Sequence, residues 1–291
     1  MSEQIINLTR SLANTLKGKL GIDAGASLTK IIYVKDNKLK FHSFLTNYNE
    51  IYKFLNENQE FKINLTGGKA FKIYKNFNKD KNCQLINEFE AQCRGVEVLF
   101  ELNEKKMPLD MLFISVGTGT SMLHIKSQED RRSFERIGGS ALGGGTFMGL
   151  IKLLYNLDDF NGAINIAKKG NPYNVDLKVA DIYEDEDDRV DPFFRQFTAS
   201  SLGKIALFNN TSNKKEDVIN SIISIISENI ASQLILYSQN RKVKNIVFSG
   251  GFLKNNSIFK RIISTMCKMY KIKSYFLKYN DMVSALGALR F

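Results

Sequence analysis

Short apolar runs separated by small polar turns dominate the first part of the chain. Residues 19–23 (Lys-Leu-Gly-Ile-Asp) form an apolar run that ends in a carboxylate, and residues 29–34 (Thr-Lys-Ile-Ile-Tyr-Val) form a second run rich in β-branched side chains. The small residues 24–27 between them are typical of a tight turn, and apolar positions at 39–44 predict a third strand. The pattern therefore predicts an antiparallel meander whose first turn is small and polar.

The same layout returns near the middle of the chain. Residues 110–116 (Asp-Met-Leu-Phe-Ile-Ser-Val) predict a buried strand, residues 117–121 (Gly-Thr-Gly-Thr-Ser) a turn, and residues 122–125 a returning strand. This internal echo predicts two related halves, each presenting a strand–turn–strand hairpin.

Longer stretches carry the helical period. Helices are predicted at 85–96, across most of 146–170 and, longest of all, at 215–240. The 215–240 segment carries a wide apolar stripe at Val218, Ile219, Ile222, Ile223, Ile226, Ile230, Leu234 and Ile235. The stripe fits a core helix of the second half or a dimer surface, and the core is the more economical interpretation. Strands and helices together indicate an α/β fold.

A glycine-rich stretch precedes the second of these helical regions. Residues 136–149 (Arg-Ile-Gly-Gly-Ser-Ala-Leu-Gly-Gly-Gly-Thr-Phe-Met-Gly) hold six of the chain's 20 glycines. A glycine turn that runs into a helix leaves backbone N–H groups free at the positive end of the helix dipole, which suits a phosphate or carboxylate. Gly143, Gly144 and Gly145 would let the backbone approach a ligand, and Arg136 would add a fixed charge. The alternative is a turn that needs left-handed backbone angles for steric reasons alone.

Composition narrows the classes of function. The chain has 291 residues, 43% of them apolar, and a net charge of +11. It contains no run of about 18 apolar residues, no signal-peptide layout, no CxxC pair among its three cysteines and no zinc-type spacing of its two histidines. The lysines are spread along the chain without a nucleic-acid-binding signature. We therefore expect a cytoplasmic protein that binds small anionic substrates, without nucleic acid or membrane partners.

Several polar residues stand where the predicted strands end or helices begin. Asp23 could hold Mg²⁺ or its waters, while the N–H groups near Gly25 and at 117–119 could cradle phosphates. Glu88 and Glu90 start a helix, where acids compensate the helix dipole, although one of them could instead be a general base. Gly250 and Gly251 follow an apolar strand and would let an adenine or ribose lie against the main chain.

Taken in order, these segments resemble the type II pantothenate kinases. The similar segments, over roughly residues 19–291, are 21–30, Glu88 to Gly95, 116–121, 136–149, 169–183, 199–203, 248–253 and 284–289. The resemblance implies a two-domain actin-like (ribonuclease H-like) ATPase fold with a mixed central sheet in each half. It divides the chain into an N-terminal extension (1–18), an N-terminal half (19–110) and a C-terminal half with a dimer helix (111–291).

The resemblance also implies an activity and roles for residues. ATP would phosphorylate pantothenate to 4′-phosphopantothenate, which opens coenzyme A synthesis. Glu88 would be the base, Asp23 the Mg²⁺ ligand, and Arg136 the contact to the pantothenate carboxylate or to the developing charge. Ser121 would contact substrate. The nucleotide contacts implied are Gly25, Ala26, Ser27, Lys30, Gly117, Thr118, Gly119, Gly143, Gly144, Gly145, Gly250 and Gly251. A homodimer and feedback binding of coenzyme A or acyl-coenzyme A are family properties.

One departure from the family pattern keeps alternatives open. The family usually has Gly-Gly-Thr where this chain has Gly25-Ala26-Ser27, so Ala26 adds a methyl group where the backbone passes close to phosphate. One alternative is a kinase of another small hydroxylated substrate, such as an amino sugar. The other is a catalytically degenerate regulator that binds nucleotide or acyl-coenzyme A.

Overall fold

A computed structural model describes residues 2–77, 82–128, 131–208 and 213–291. Its first sheet has six strands in the order β1-β4-β3-β2-β5-β6. The strands are β1 (Ser2–Asn7), β2 (Lys19–Ala24), β3 (Leu28–Lys35), β4 (Lys38–Leu45), β5 (Lys62–Thr66) and β6 (Cys83–Leu85). Strands β2, β3 and β4 form the predicted antiparallel meander, while β5 lies parallel to both β2 and β6.

Four helices accompany this sheet. They are α1 (Arg10–Leu16), α2 (Tyr48–Asn56), α3 (Ala70–Phe77) and α4 (Glu88–Leu102). Leu12 and Leu16 of α1 are buried, and β1 pairs antiparallel with β4, so the first residues of the chain take part in the core and the sheet. Helix α4 begins at Glu88 because the Asn87 side chain accepts hydrogen bonds from the N–H groups of Phe89 and Glu90.

A second sheet repeats the plan of the first. Its order is β13-β12-β7-β8-β9, with β7 and β8 antiparallel and β12 parallel to β7. A separate pair, β10 and β11, forms a small antiparallel ribbon. The strands are β7 (Asp110–Val116), β8 (Thr120–Gln128), β9 (Arg131–Ser140), β10 (Leu177–Lys178), β11 (Thr198–Ser200), β12 (Asn245–Ser249) and β13 (Lys273–Tyr275). The strand–turn–strand echo predicted from the sequence is therefore present as β2–β3 and β7–β8.

The remaining helices follow the second hairpin. They are α5 (Gly144–Tyr155), α6 (Phe160–Ala167), α7 (Gly203–Leu207), α8 (Lys215–Arg241), α9 (Ser257–Met269) and α10 (Val283–Ala288). All eight apolar residues of the predicted stripe on α8 are buried within this one chain. By length and composition α8 is the one helix in the described ranges that could cross a membrane, and 72% of its most apolar window is buried inside the fold. Its stripe is a core surface.

The chain forms two compact units. Unit 1 consists of Met1–Gly138, Asn245–Gly250 and Tyr275–Phe291, and unit 2 consists of Gly139–Lys244 and Gly251–Ser274. In unit 2 the Phe147 ring of α5 packs edge-on against Phe160 and Phe252. In unit 1, α10 packs against α4 and β2 through glycines that leave no room for a side chain.

The glycine contacts of unit 1 fix the position of α4. A Cβ atom at Gly95 would lie 2.8 Å from the carbonyl carbon of Val283, and closer still to its oxygen. A Cβ atom at Gly287 would lie 2.8 Å from the Gly95 nitrogen and closer to the Ala91 carbonyl. Both values are far below an ordinary carbon contact, so the two helices touch backbone to backbone. This contact holds the helix that carries Glu88.

Candidate active site

The first hairpin turn, between β2 and β3, is fixed by local hydrogen bonds. The Gly25 N–H donates to the Leu28 carbonyl at 3.0 Å, and the Thr46 hydroxyl donates to the Gly25 carbonyl at 2.9 Å. Ala26 and Ser27 are exposed at the tip, and Ala26 is not among the described non-glycine residues with positive φ. An alanine therefore fits this turn without backbone strain.

Asp23 lies at the end of β2, between two strands. It pairs in register with Lys30 of β3 and with Thr66 of β5, and Lys30 Nζ is 3.7 Å from Asp23 Oδ2. Only 9% of Asp23 is exposed. Burial raises the pKa of its carboxyl group, although the Lys30 charge and hydrogen bond act in the opposite direction. A buried carboxylate with one cation beside it is a group that gains from a further positive charge.

Gly67, which directly follows β5, completes the surroundings of Asp23, and it is not among the site residues predicted from the sequence. Its φ is +93°, and a Cβ atom there would lie 2.6 Å from Asp23 Oδ1. Any side chain at this position would therefore collide with the carboxylate. A glycine directly after a strand that neighbours a motif carboxylate is the sequence signal that could have identified it.

Glu88 is exposed at the N-terminus of α4, close to Asp23. Desolvation by nearby protein atoms raises the pKa of Glu88, the Asp23 charge raises it further, and Lys30 lowers it. Gln92, one helical turn on and 1% exposed, donates from Nε2 to Glu88 Oε1 at 3.3 Å. Glu90 is turned away from this group, because it pairs with Arg94 at 3.3 Å. Asp23, Lys30 and Glu88 are therefore one electrostatic cluster, and Glu90 is outside it.

The second hairpin turn joins β7 to β8 and meets the first. The Gly117 N–H donates to the Gly119 carbonyl at 2.8 Å, which closes the turn. The hydroxyl oxygens of Ser27 and Thr118 lie 3.4 Å apart, so the tips of the two hairpins touch within unit 1. Ser121 follows on β8, opposite Ser115 in the register.

Arg136 stands on β9, over the N-terminal turn of α4. Its guanidinium carbon is 5.9 Å from the centre of the Phe89 ring, a cation–π arrangement. Since Phe89 directly follows Glu88, Arg136 is placed on the same end of the helix as the acidic cluster. Its side chain is exposed, which leaves its donors accessible to a ligand.

The remaining predicted residues are distributed between the units. In unit 1, Gly250 has a φ of +111° and lies so close to the Val116 backbone that a side chain would not fit. In unit 2, Gly251 faces open space. Gly143 is extended at φ 178°, and Gly144 and Gly145 begin α5 without a side-chain cap at its N-terminus. The left-handed turn offered as the alternative at Gly143 is therefore not what this segment forms.

Comparison with known proteins identifies the family to which this chain belongs. The family model described as Fumble matches residues 35–290. The type II pantothenate kinase of Staphylococcus aureus strain USA300 is 32% identical over 273 residues, which cover 93% of this chain and 98% of that protein. The chain belongs to the type II pantothenate kinase family. The enzyme of strain bovine RF122 / ET3-1 matches over the same length at the same identity.

Solved structures confirm the predicted actin-like ATPase fold for this family member. A ROK hexokinase from Thermus thermophilus matches with a TM-score of 0.55 at 12% identity, covering 93% of this chain and 96% of that one. A ROK family glucokinase from Streptomyces griseus, in complex with glucose and AMPPNP, matches with a TM-score of 0.54 at 10% identity, covering 93% and 97%. At these identities the likeness concerns the fold alone.

Proposed function

We propose that this protein is a pantothenate kinase, which transfers the γ-phosphoryl group of ATP to the primary hydroxyl of pantothenate and forms 4′-phosphopantothenate. The observation that carries the proposal is the cluster of Asp23, Lys30 and Glu88 within unit 1. The tips of the two hairpins of unit 1 also touch, at Ser27 and Thr118. Phosphoryl transfer chiefly requires alignment and charge neutralisation, and this cluster supplies a base, a metal ligand and a cation.

The donor groups suit ATP and Mg²⁺. The described residues contain no group of three or more His, Cys, Asp or Glu side chains that could hold a metal by itself. Mg²⁺ in kinases is commonly held by one or two carboxylates together with phosphate oxygens, so the single buried Asp23 fits that role. Bound ATP and Mg²⁺ supply the phosphoryl group and neutralise its charge. The N–H groups of the turns at 25–27 and 117–119, with Lys30, would hold the phosphates.

The acceptor would be activated by Glu88. A carboxylate whose pKa is raised is a stronger base than an ordinary glutamate, and Glu88 would take the proton of the attacking hydroxyl. Arg136 would bind the pantothenate carboxylate or the charge that develops in the transition state. Thr118 and Ser121 would make polar contacts to phosphate or acceptor.

The finer contacts belong to the same proposal. Gly143, Gly144 and Gly145 would seat the nucleotide at the N-terminus of α5, and Gly250 and Gly251 would lie beside the adenosine. We place the enzyme in the cytoplasm and expect coenzyme A or acyl-coenzyme A to inhibit it. Adding acetyl-coenzyme A to the kinase assay tests the inhibition directly.

The decisive experiment compares two glutamates on one helix. Purified protein with ATP, Mg²⁺ and pantothenate should release ADP and yield phosphopantothenate by mass spectrometry. Glu88→Gln should lower turnover about a hundredfold or more while nucleotide binding persists. Glu90→Gln is the matched control and should remain active, because Glu90 pairs with Arg94. A fully active Glu88→Gln protein would refute the base assignment.

The alternative functions are separated by the same assay. A panel of small hydroxylated acceptors, including amino sugars, would identify another substrate if ADP release with pantothenate is absent. Nucleotide binding without turnover on any acceptor would favour a degenerate regulator. Detection of phosphopantothenate rules that regulator out.

The homodimer is also part of the proposal. Helix α5 exposes three leucines, Leu150, Leu153 and Leu154, and Leu153 is 80% exposed. Exposed apolar patches often mark protein–protein interfaces, and we assign this one to a second copy of the chain. Leu153→Glu should shift the mass measured by light scattering from dimer to monomer. Leu109→Glu, at a residue 70% exposed in unit 1, is the control and should leave the mass unchanged.

A further inference from the structure

A cavity of about 720 Å³ lies in unit 1 between α4 and β9, on the face of α4 that carries Glu90 and Arg94. Arg132 of β9 forms an ion pair with Glu97 of α4, while Arg136 of β9 contacts Phe89 of α4. Eight helical residues span about 12 Å and four strand residues about 13 Å, so the two elements run side by side in opposite directions. The volume is in the range of small-molecule sites.

Three arginines line this cavity. They are Arg94, Arg132 and Arg290. Each is paired with one glutamate of α4: Arg94 with Glu90 at 3.3 Å, Arg290 with Glu101 at 2.8 Å, and Arg132 with Glu97. Arg94 also donates to the Arg290 carbonyl at 3.5 Å, and Arg132 donates from Nε to the Ser127 hydroxyl at 3.0 Å. A guanidinium has five N–H donors, so each arginine still has donors for a ligand. The Nε atom of Arg290 is buried without a hydrogen-bond partner in the described part of the chain.

Two lysines add to the positive charge next to the arginines. Lys19 and Lys62 are direct partners in the β2–β5 pairing. Burial lowers the pKa of Lys19, and the charges of Lys62, Arg290 and Arg94 lower it further, which places the four cations near one another. Neither lysine lines the cavity, and Lys62 donates from Nζ to the Phe291 oxygen at 3.2 Å.

We propose that this cavity is a second anion site, which binds a phosphate-bearing small molecule through Arg94, Arg132 and Arg290. Guanidinium groups bind phosphate oxygens in pairs, and the lysines behind the arginines keep the surroundings of the cavity positive. Burial lowers the pKa of Arg132, and Arg290 contributes by repulsion, so a bound anion would relieve the repulsion between like charges. The site is distinct from the hairpin turns proposed to hold the phosphates of ATP.

The test titrates inorganic phosphate into the full chain. The nucleotide site is first saturated with a non-hydrolysable ATP analogue and Mg²⁺, and calorimetry is run at constant ionic strength. We expect saturable binding that Arg94→Gln and Arg290→Gln each weaken about tenfold or more. Arg94→Lys should restore part of it, since a charge without the planar fork remains. Circular dichroism checks that each variant is folded.

Two controls decide the location of the bound anion. Arg189→Gln removes an exposed arginine that is likewise paired with a carboxylate, Asp187 at 2.7 Å, and should bind phosphate as the parent does. Loss of binding in Arg136→Gln with retention in Arg94→Gln would assign the anion to the acceptor site and overturn the proposal. Absence of saturable binding would also overturn it. Kinase activity is measured separately, so neither result depends on the proposed reaction.

Discussion

Replacing Gly95 with alanine tests the backbone contact that holds α4 in place. The new methyl group would lie 2.8 Å from the Val283 carbonyl carbon and 2.9 Å from the Gly287 nitrogen. Both neighbours are main-chain atoms of α10, so no flexible side chain can move aside. The two helices would have to separate, and such overpacking strains a core by about 1–3 kcal/mol or more.

The magnitude follows from two opposing effects. Because the atoms that the new methyl group meets belong to the backbone of α10, the strain lies at the upper end of that range, about 3 kcal/mol. Alanine returns about 1 kcal/mol because glycine is a poor helix former. We therefore expect Gly95→Ala to lower the free energy of unfolding by about 2 kcal/mol. A measured loss of this size is readily resolved against a total of about 5–15 kcal/mol.

Two glycines provide matched controls. Gly149 lies in the interior of α5, where an added Cβ atom has nothing within 4 Å, so Gly149→Ala should gain about 1 kcal/mol from helix propensity. Gly68 lies in unit 1 with equally open surroundings, and Gly68→Ala should be neutral or slightly stabilising. Urea unfolding followed by circular dichroism measures the stability of all three variants. An unchanged slope of the unfolding free energy against urea concentration checks that only the stability has changed.

A second readout links the contact to the proposed reaction. Glu88 is two turns before Gly95 on the same helix, so a shift of α4 would displace the base. A displacement of 1 Å can cost about a hundredfold in rate, and we expect kcat to fall while ATP binding persists. Gly95→Ala with the stability of the parent would refute the backbone contact. Lower stability with full turnover would refute only the link to Glu88.

Three further outcomes follow from individual residues. Asp23→Asn should stabilise the ligand-free protein at neutral pH. Burial raises the folded-state pKa of Asp23, so the parent loses stability as pH rises from the ordinary aspartate pKa to the raised one. Urea unfolding at pH 4 and pH 7 should show a smaller loss of stability in the variant than in the parent. Ala26→Gly should cost about 0.4–1 kcal/mol of stability and leave the KM for ATP nearly unchanged, since Ala26 already fits its turn. A large fall in KM would show that the Ala26 methyl group hinders phosphate binding. Gly250→Ala should express as unfolded protein because the φ of Gly250 is +111° and the Val116 backbone leaves no space for a side chain. Gly251→Ala should fold, because nothing lies within 4 Å of its new Cβ atom, so calorimetry can measure whether its affinity for ATP is reduced.

Local patterns carried most of what the sequence could predict. The meander, the repeated hairpin and the long apolar helix were predicted correctly because each depends on neighbouring residues: period-two strands, glycine turns and a 3.6-residue stripe. The family and the fold were also predicted correctly, and the comparisons confirm them. The assigned roles of the site residues stay predictions.

The residues that sequence interpretation missed act across long separations in the chain. Gly67 is required by Asp23, which is 44 residues earlier, and the glycine at the end of β5 becomes a signal only once β5 is known to pair with β2. The contact of Gly95 with α10 joins segments almost 190 residues apart. Gln92 is different, because its spacing of four residues from Glu88 predicts a contact on a helix face. The contact between Gln92 and Glu88 could therefore have been predicted from the sequence, once Glu88 was assigned to the helix.

The electrostatic cluster requires that α4 be held in place. Asp23 and Glu88 both have raised pKa values, and each charge raises the free energy of the other, so the site without ligands is a local cost to folding. Sites of this kind persist only where the surrounding structure fixes them. Helix α4 meets that condition two turns further on, where Gly95, on the same helix face as Glu88, contacts the backbone of α10. The stability that fixes the proposed base therefore comes from a glycine contact two turns away, and removing that contact should release Glu88 from Asp23.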